Sequence, residues 1–164
     1  MNEGRAYNYG AEFTLERFFS RGFYYLFSAS VFDAEYVGSD GIWRNSDFNT
    51  DYAINTLFAK EFNIGKRHII NIGGKATFAG ARRFSPIDSS ASVAFREYRE
   101  LDELKNTERF GKPYMRFDFR ISYRYNAKKV SHEFAIDLVN ITNNRNILNY
   151  TYINEPPYRR VNYQ

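Results

Sequence analysis

The stretch Tyr114–Tyr125 reads YMRFDFRISYRY. Its odd positions, Met115, Phe117, Phe119, Ile121, Tyr123 and Tyr125, are apolar or aromatic, while Arg116, Asp118, Arg120, Ser122 and Arg124 fill the even ones. A strand sends alternate side chains to opposite faces, so this period of two predicts a long strand with one greasy wall and one charged wall. The fold turns on which two media those walls meet.

The alternation recurs along the chain. NYGAEFTLERFF places Tyr9, Ala11, Phe13, Leu15 and Phe19 on one parity, with Glu12 and Glu16 on the other. FYYLFSASVFDAEY carries Phe23, Tyr25, Phe27, Ala29 and Val31 on its apolar side, and DYAINTLFAKEF carries Tyr52, Ile54, Phe58 and Phe62. HIINIGGKATFAG sets Ile70, Ile72, Ala76 and Phe78 against Asn71, Lys75 and Thr77, and HEFAIDLVNI sets Phe134, Ile136 and Leu138 against Glu133 and Asp137. The pattern predicts an all-β, antiparallel up-and-down meander of about six to seven strands.

Turn chemistry fixes how these strands meet. Ser20-Arg21-Gly22 and Asn63-Ile64-Gly65 read as three-residue hairpin loops closed by a left-handed glycine, pairing Phe19 with Phe23 and Phe62 with Lys66. Asn126 to Lys129 reads as a four-residue loop pairing Tyr125 with Val130, which sets Phe119 opposite Ile136 and Arg120 diagonal to Glu133 and Asp137. The other connections, Val37 to Thr50 and Arg82 to Pro113, are long and lie at the opposite end of the meander. In the second, Phe95, Tyr98, Leu101 and Leu104 recur at helical spacing and predict a short amphipathic helix.

Composition excludes several classes. With 26% charged residues no run approaches the roughly 20 apolar residues of a spanning helix, whereas spanning by strands stays open. The 23 basic residues are balanced by 19 acidic ones and spread over the chain, which argues against nucleic acid as a partner. Without cysteine there is no disulfide framework and no thiolate metal site. The start, MNEGRAYNYG, has no apolar core of a signal peptide.

A soluble β-sandwich also alternates, with one face in a core and one in water. The segments here are longer than ordinary soluble strands and match the roughly 9 to 11 tilted residues that cross a bilayer. Aromatics gather near the ends of the apolar stripes, and short turns at one rim with long loops at the other is the asymmetry of outer-membrane barrels. The reading is therefore a partial transmembrane β-barrel, lipid on the apolar side and an aqueous lumen on the charged side. Six strands are too few to close such a barrel, so further strands are expected from a longer chain.

YMRFDFRISYRY followed by HEFAIDLVNITNNRNILNYTY, with NYGAEFTLERFF, GIWRNSDFNTDYAINTLFAKEF and GARRFSPID, resembles the C-terminal part of a TonB-dependent outer-membrane receptor of the Bacteroidetes type. The resemblance covers nearly the whole chain and implies a barrel of roughly 22 strands plugged by an N-terminal domain. It implies import of a scarce ligand, driven through the TonB complex, with the plug, the TonB box and most of the barrel upstream of Met1. Residues 1–164 would be the C-terminal barrel part, stopping at YRRVNYQ before the terminal strand. A passive porin or a soluble β-sandwich ligand-binding module are the alternatives.

No enzyme is expected. Glu12, Glu16, Lys75, Arg116, Asp118, Arg120, Arg124, Glu133 and Asp137 read as a lumen-facing charge ladder, in which arginines keep Asp118 and Asp137 from repelling each other. No nucleophile or metal partner stands beside them, and neither cofactor nor metal is predicted. His68 and His132 lie just past turns and read as rim residues. Gly73-Gly74 sits mid-strand, where it suits a kink or close packing against a plug rather than a phosphate loop. Trp43, Arg44, Arg96, Tyr98 and Arg99 are the candidate ligand contacts, because aromatics and arginines dominate binding hot spots and these sit on long loops.

Overall fold

The computed structural model describes residues 4–147, with the backbone of Asn149–Tyr152 and Arg160–Tyr163. Five long strands and one shorter strand form a single antiparallel sheet: β1 (Arg5–Ser20), β2 (Phe23–Val37), β4 (Tyr52–Ile64), β5 (His68–Ala79), β8 (Tyr114–Asn126) and β9 (Ser131–Leu138), in sequence order. A short β3 (Trp43–Asn45) joins the long-loop end of β2. Two small two-stranded sheets stand apart, β6 (Arg83–Phe84) with β7 (Glu108–Arg109), and β10 (Asn149–Tyr152) with β11 (Arg160–Tyr163). The all-β antiparallel meander is as the alternation predicts, and the six main strands are the six alternating segments.

Each pairing keeps the apolar parities together. Phe13 lies opposite Ala29, Ala29 opposite Ile54, Ile54 opposite Phe78, Phe78 opposite Met115, and Ile121 opposite Ile136. One face of the sheet is thus continuous apolar surface from β1 to β9. It is tied by aromatic contacts such as the edge-on pair Phe78–Phe117 at 5.3 Å, each worth about 0.5–1.5 kcal/mol beyond area burial. Gly74 belongs to this face, and the Phe58 ring lies over it: a Cβ there would meet Phe58 Cε1 at 2.5 Å. The close packing at Gly74 is therefore against a neighbouring strand's ring, where packing against a plug was expected.

All three hairpins depart from their expected loops, and in each the parity survives. At β1–β2, Ser20 pairs with Phe23 and only Arg21 and Gly22 turn, both at positive φ (52° and 68°). Such two-residue turns twist in the sense of the strands they join. The odd residue moves into the strand as a bulge, Phe18 and Phe19 against Tyr24, and from Arg17–Tyr25 onward the expected register holds. Between β4 and β5 the turn is Gly65-Lys66-Arg67, so Phe62 meets Ile70 rather than Lys66. Between β8 and β9 it is Ala127–Val130, so Phe119 meets Leu138 rather than Ile136, and Arg120 stands directly opposite Asp137. The slips amount to four and two residues along the partner strand, and even numbers leave every side chain on its face.

The long connections are structured. The helix expected through Phe95, Tyr98, Leu101 and Leu104 does not form; α1 spans Ser89–Phe95 instead. Asp88 caps its start by accepting from the Ala91 N–H, and Arg96 ends it in the left-handed conformation at φ 52°. Leu104 lies in a separate 3₁₀ turn, Asp102–Leu104.

A conventional core is almost missing. Among the described apolar side chains only Phe110 is buried, stacked on Phe84 at 5.2 Å beneath the second long loop. The chain exposes 11866 Å² where a compact monomer of this mass exposes about 8,500 Å². Phe13, Phe134, Ile136 and Leu138 are each about half or more exposed. Among the described residues β1 and β9 each pair with the sheet along one side only. The purified 164-residue chain in detergent-free buffer is therefore expected to associate, as light scattering would detect, and a monodisperse monomer with a cooperative melt would mean that the apolar face is covered in water.

Candidate ligand site at the long-loop rim

The predicted ladder exists on β8 and β9 and is better matched than expected. Arg120 donates through one nitrogen to both oxygens of Asp137, at 3.0 and 2.8 Å, and lies 3.9 Å from Glu133. Arg124 grips Glu133 Oε2 through Nε and a terminal nitrogen, at 3.1 and 3.0 Å. Arg116 pairs with Asp118 at 2.9 Å on its own strand, and Lys75 faces Asp118 across the β5–β8 register. The two aspartates therefore each hold an arginine and do not face one another. Glu12 and Glu16 share the charged face but lie on β1, four strand spacings or about 19 Å from β8. They accept from Thr14 and the Tyr24 hydroxyl instead, and do not join the ladder.

Above this face the two long loops interlock. Arg44 is 7% exposed and is consumed by the fold: it binds both oxygens of Asp40, at 3.0 and 2.6 Å, and donates to the carbonyls of Asp102 and Ile42. The Arg44 guanidinium, and after it the Ile42 N–H, hold the Asp40 carboxyl down to about 2. Asn106 reaches from the second loop to the Asn45 carbonyl and Asp47, and Arg83 reaches the Asn49 carbonyl at 2.9 Å. Asp51 sits between Arg109 and Arg83; burial pushes its carboxyl up, and the two arginines outweigh that and leave it below its ordinary value. Asn49 is fully buried and donates to Asp33 and Asn45, while its Oδ1 meets no donor among the described residues. Gly80 is where the loops close on the sheet, for a side chain there would collide with the Thr50 carbonyl.

The remaining sequence candidates scatter. Trp43 is half exposed and packs on Tyr7 at 5.2 Å, on the outer side of β3. Arg99 lies over the Phe95 ring at 4.2 Å and near Glu97, Tyr98 donates to Glu100, and Arg96 is the helix stop; all three are exposed on the top of the second loop. His68 stacks between Tyr123 and Tyr125 at the short-turn rim, its Nδ1 2.6 Å from the Tyr123 hydroxyl, and His132 faces Tyr125. Both histidines are rim residues, as their positions after turns suggest.

Sequence reasoning missed the asparagine-rich segment that follows β9. Because β9 stops at Leu138, the long-loop end of β8 keeps β5 on one side but has no described strand on the other, and side chains take that place. Asn146 Oδ1 accepts from the Met115 N–H at 2.9 Å while its Nδ2 donates to the Met115 carbonyl at 2.9 Å, a pair that copies a ladder step. Asn144 donates to the same carbonyl, and Asn140 exchanges two hydrogen bonds with the Asn144 backbone while its own N–H donates to Asp118. Between this segment and the loop strand leading into β8 lies a cavity of about 520 Å³. The density of asparagine in NITNNRN was the available signal, since carboxamides carry both a donor and an acceptor and can stand in for a backbone.

No protein family, no curated protein and no solved structure matches this chain.

Replacing Asn146 by Ala strips the Met115 N–H of its carboxamide partner and leaves the Met115 carbonyl to Asn144 alone, at an expected cost of about 1–3 kcal/mol. Hydrogen exchange at the Met115 amide should accelerate accordingly, and unchanged protection there would show that the asparagine does not close the strand.

Proposed function

We propose that this chain is part of the barrel wall of a TonB-dependent outer-membrane receptor, with its apolar face against lipid, its charged face lining the lumen, and its long loops receiving the imported ligand. The observation that carries this reading is a single sheet with two unlike faces, both left open. A β-sandwich needs a second layer over Phe134, Ile136 and Leu138, and the described residues supply none. Strands of 16, 15, 13, 12 and 13 residues reach across a bilayer with length to spare. The excess is wet in character: toward the long-loop end the outward parity of β2 turns to Asp33 and Glu35, which accept from the Tyr9 and Tyr7 hydroxyls. At the other end His68, Tyr123 and Tyr125 cluster, and the Lys60 ammonium lies 5.8 Å from the Phe62 ring, an arrangement suited to an interfacial girdle. The β1 and β9 edges are then completed by further strands of the same barrel.

Adjacent residues of β9 test the faces. Ile136 is 62% exposed on the apolar side and Ala135 is exposed on the charged side between Glu133 and Asp137. In the membrane-inserted protein Ile136→Arg should lose about 2–4 kcal/mol of stability while Ala135→Arg is nearly neutral. Were the apolar side in water, both changes would fall within about 0.5 kcal/mol, and equal folded fractions in lipid would end this proposal.

The absence of native cysteine allows single-site labelling without background. Ser89→Cys, on the second long loop, should react with a membrane-impermeant maleimide on intact cells, and Lys128→Cys, at the short turn, only after the outer membrane is opened. The reverse pattern would invert the sheet in the membrane.

A further inference from the structure

We propose that the apolar face of the sheet, at its short-turn rim, binds the phosphodiester of an anionic phospholipid, which Arg17 and Lys60 hold above the rings of Phe23 and Tyr25. Arg17 lies opposite Tyr25 across β1 and β2, and Lys60 lies opposite Phe23 across β2 and β4, so the four share one face on three adjacent strands. The Arg17 guanidinium is 5.9 Å from the Phe23 ring, and the Phe23 and Tyr25 rings are 6.0 Å apart. The Lys60 ammonium, 5.8 Å from the Phe62 ring, reaches to the turn and donates to the Arg21 carbonyl at 3.2 Å. The backbones of the two cations stand two strand spacings apart, about 9.5 Å, a gap that two long side chains can close around one phosphate.

Charge is sorted along this face. At the short-turn end the strand carboxylates, Glu16, Glu61 and Glu133, all belong to the opposite parity, with Leu26, Asn71 and Arg124 as their register partners. Among the described residues Arg17 and Lys60 meet no carboxylate; rings and one carbonyl are their partners. The three turns beside them add Arg21, Lys66, Arg67, Lys128 and Lys129, all exposed, and hold no acidic residue. At the long-loop end the same face carries Asp33 and Glu35 instead. A face in water gains nothing from such sorting, whereas cations at the edge of an apolar stripe meet headgroup phosphates there. Phosphate offers both side chains more than a ring does, a match for the arginine fork and a counter-charge for lysine. The occupant is a lipid rather than a free anion because the stripe continues from the cations through Phe27 and Phe58, surface that an acyl chain covers and an inorganic ion leaves bare. A zwitterionic lipid brings its own ammonium against these cations, so the preference is for a net negative headgroup. This deepens the receptor reading by naming the lipid that the sheet prefers, and it rests on that reading for the bilayer itself.

The test uses the cysteine-free background. Ile64→Cys on this rim and Ile136→Cys on the same face of β9 each carry a fluorophore, and the protein is reconstituted into mixed phosphatidylglycerol and phosphatidylcholine vesicles in which one lipid at a time has brominated acyl chains. Quenching at Ile64 is expected to report a preference for phosphatidylglycerol on the order of twentyfold, weakening with salt, since each basic residue near the headgroups favours an anionic lipid by about fivefold. Arg17→Gln and Lys60→Gln should each cut it about fivefold, and their combination should remove it. Lys60→Arg should keep most of it, and Lys112→Gln at the opposite rim should change nothing. Brominated phosphatidylcholine should quench Ile136 equally in every variant, which shows that all are inserted. Equal affinity for the two lipids at Ile64, or a preference that survives the double substitution, would overturn the site. So would its loss in millimolar inorganic phosphate at constant ionic strength, which would make the cations a free-phosphate site. The receptor reading fails separately: quenching at Ile136 without a preference at Ile64 keeps the inserted sheet and loses the lipid site, whereas a preference at Ile64 without quenching at Ile136 leaves the cations on an anionic surface and loses the receptor.

Discussion

Parity is the constraint on which the rest of this molecule depends. A slip of one residue between any two strands would turn Phe119 or Ile136 toward the face of Arg120 and Asp137, and would bring the ladder onto the apolar side. Six strands in succession hold the same sense, although their turns differ in length and type. The ion pairs help to set it from one side and the aromatic contacts from the other. Arg120 over Asp137 and Arg124 over Glu133 are half-exposed pairs of small individual worth. Their use is that in the observed register each arginine stands directly opposite its carboxylate, so they favour that register more than they strengthen it.

This constraint also explains what could be read in advance. Alternation records which face a residue occupies and is insensitive to slips of two, so the face of every residue in YMRFDFRISYRY and HEFAIDLVNI was legible while their exact partners were not. The partners were lost at the turns. Gly65 was expected to close a loop and opens one, and Asn126 was expected in a loop and pairs with Ser131. In the first hairpin Arg21 takes a positive φ that its side chain gives no reason to expect, and the strand absorbs the difference as a bulge at Phe18 and Phe19.

The long loops were opaque for a different reason. Their contacts join residues far apart in sequence, such as Arg44 with Asp102 and Asn45 with Asn106, and no local period encodes such meetings. Arginine and tryptophan on a loop suggested recognition, yet Arg44 turned out to be a buried fastener between the two loops. Helical spacing misled in the same region, because Arg96 breaks the helix before Tyr98 can join it.

A hydrogen bond between two main chains survives any substitution that leaves the backbone in place, since every residue but proline brings the same donor and acceptor. The long-loop end of β8 is finished differently, by the carboxamides of Asn144 and Asn146. There the border between sheet and loop is written in side chains, and a single codon can move it. The sheet beneath is bound to its register by many mutually dependent contacts, whereas its upper edge can be trimmed or extended one residue at a time, leaving the loop-bearing rim free to diverge while the strands stay fixed.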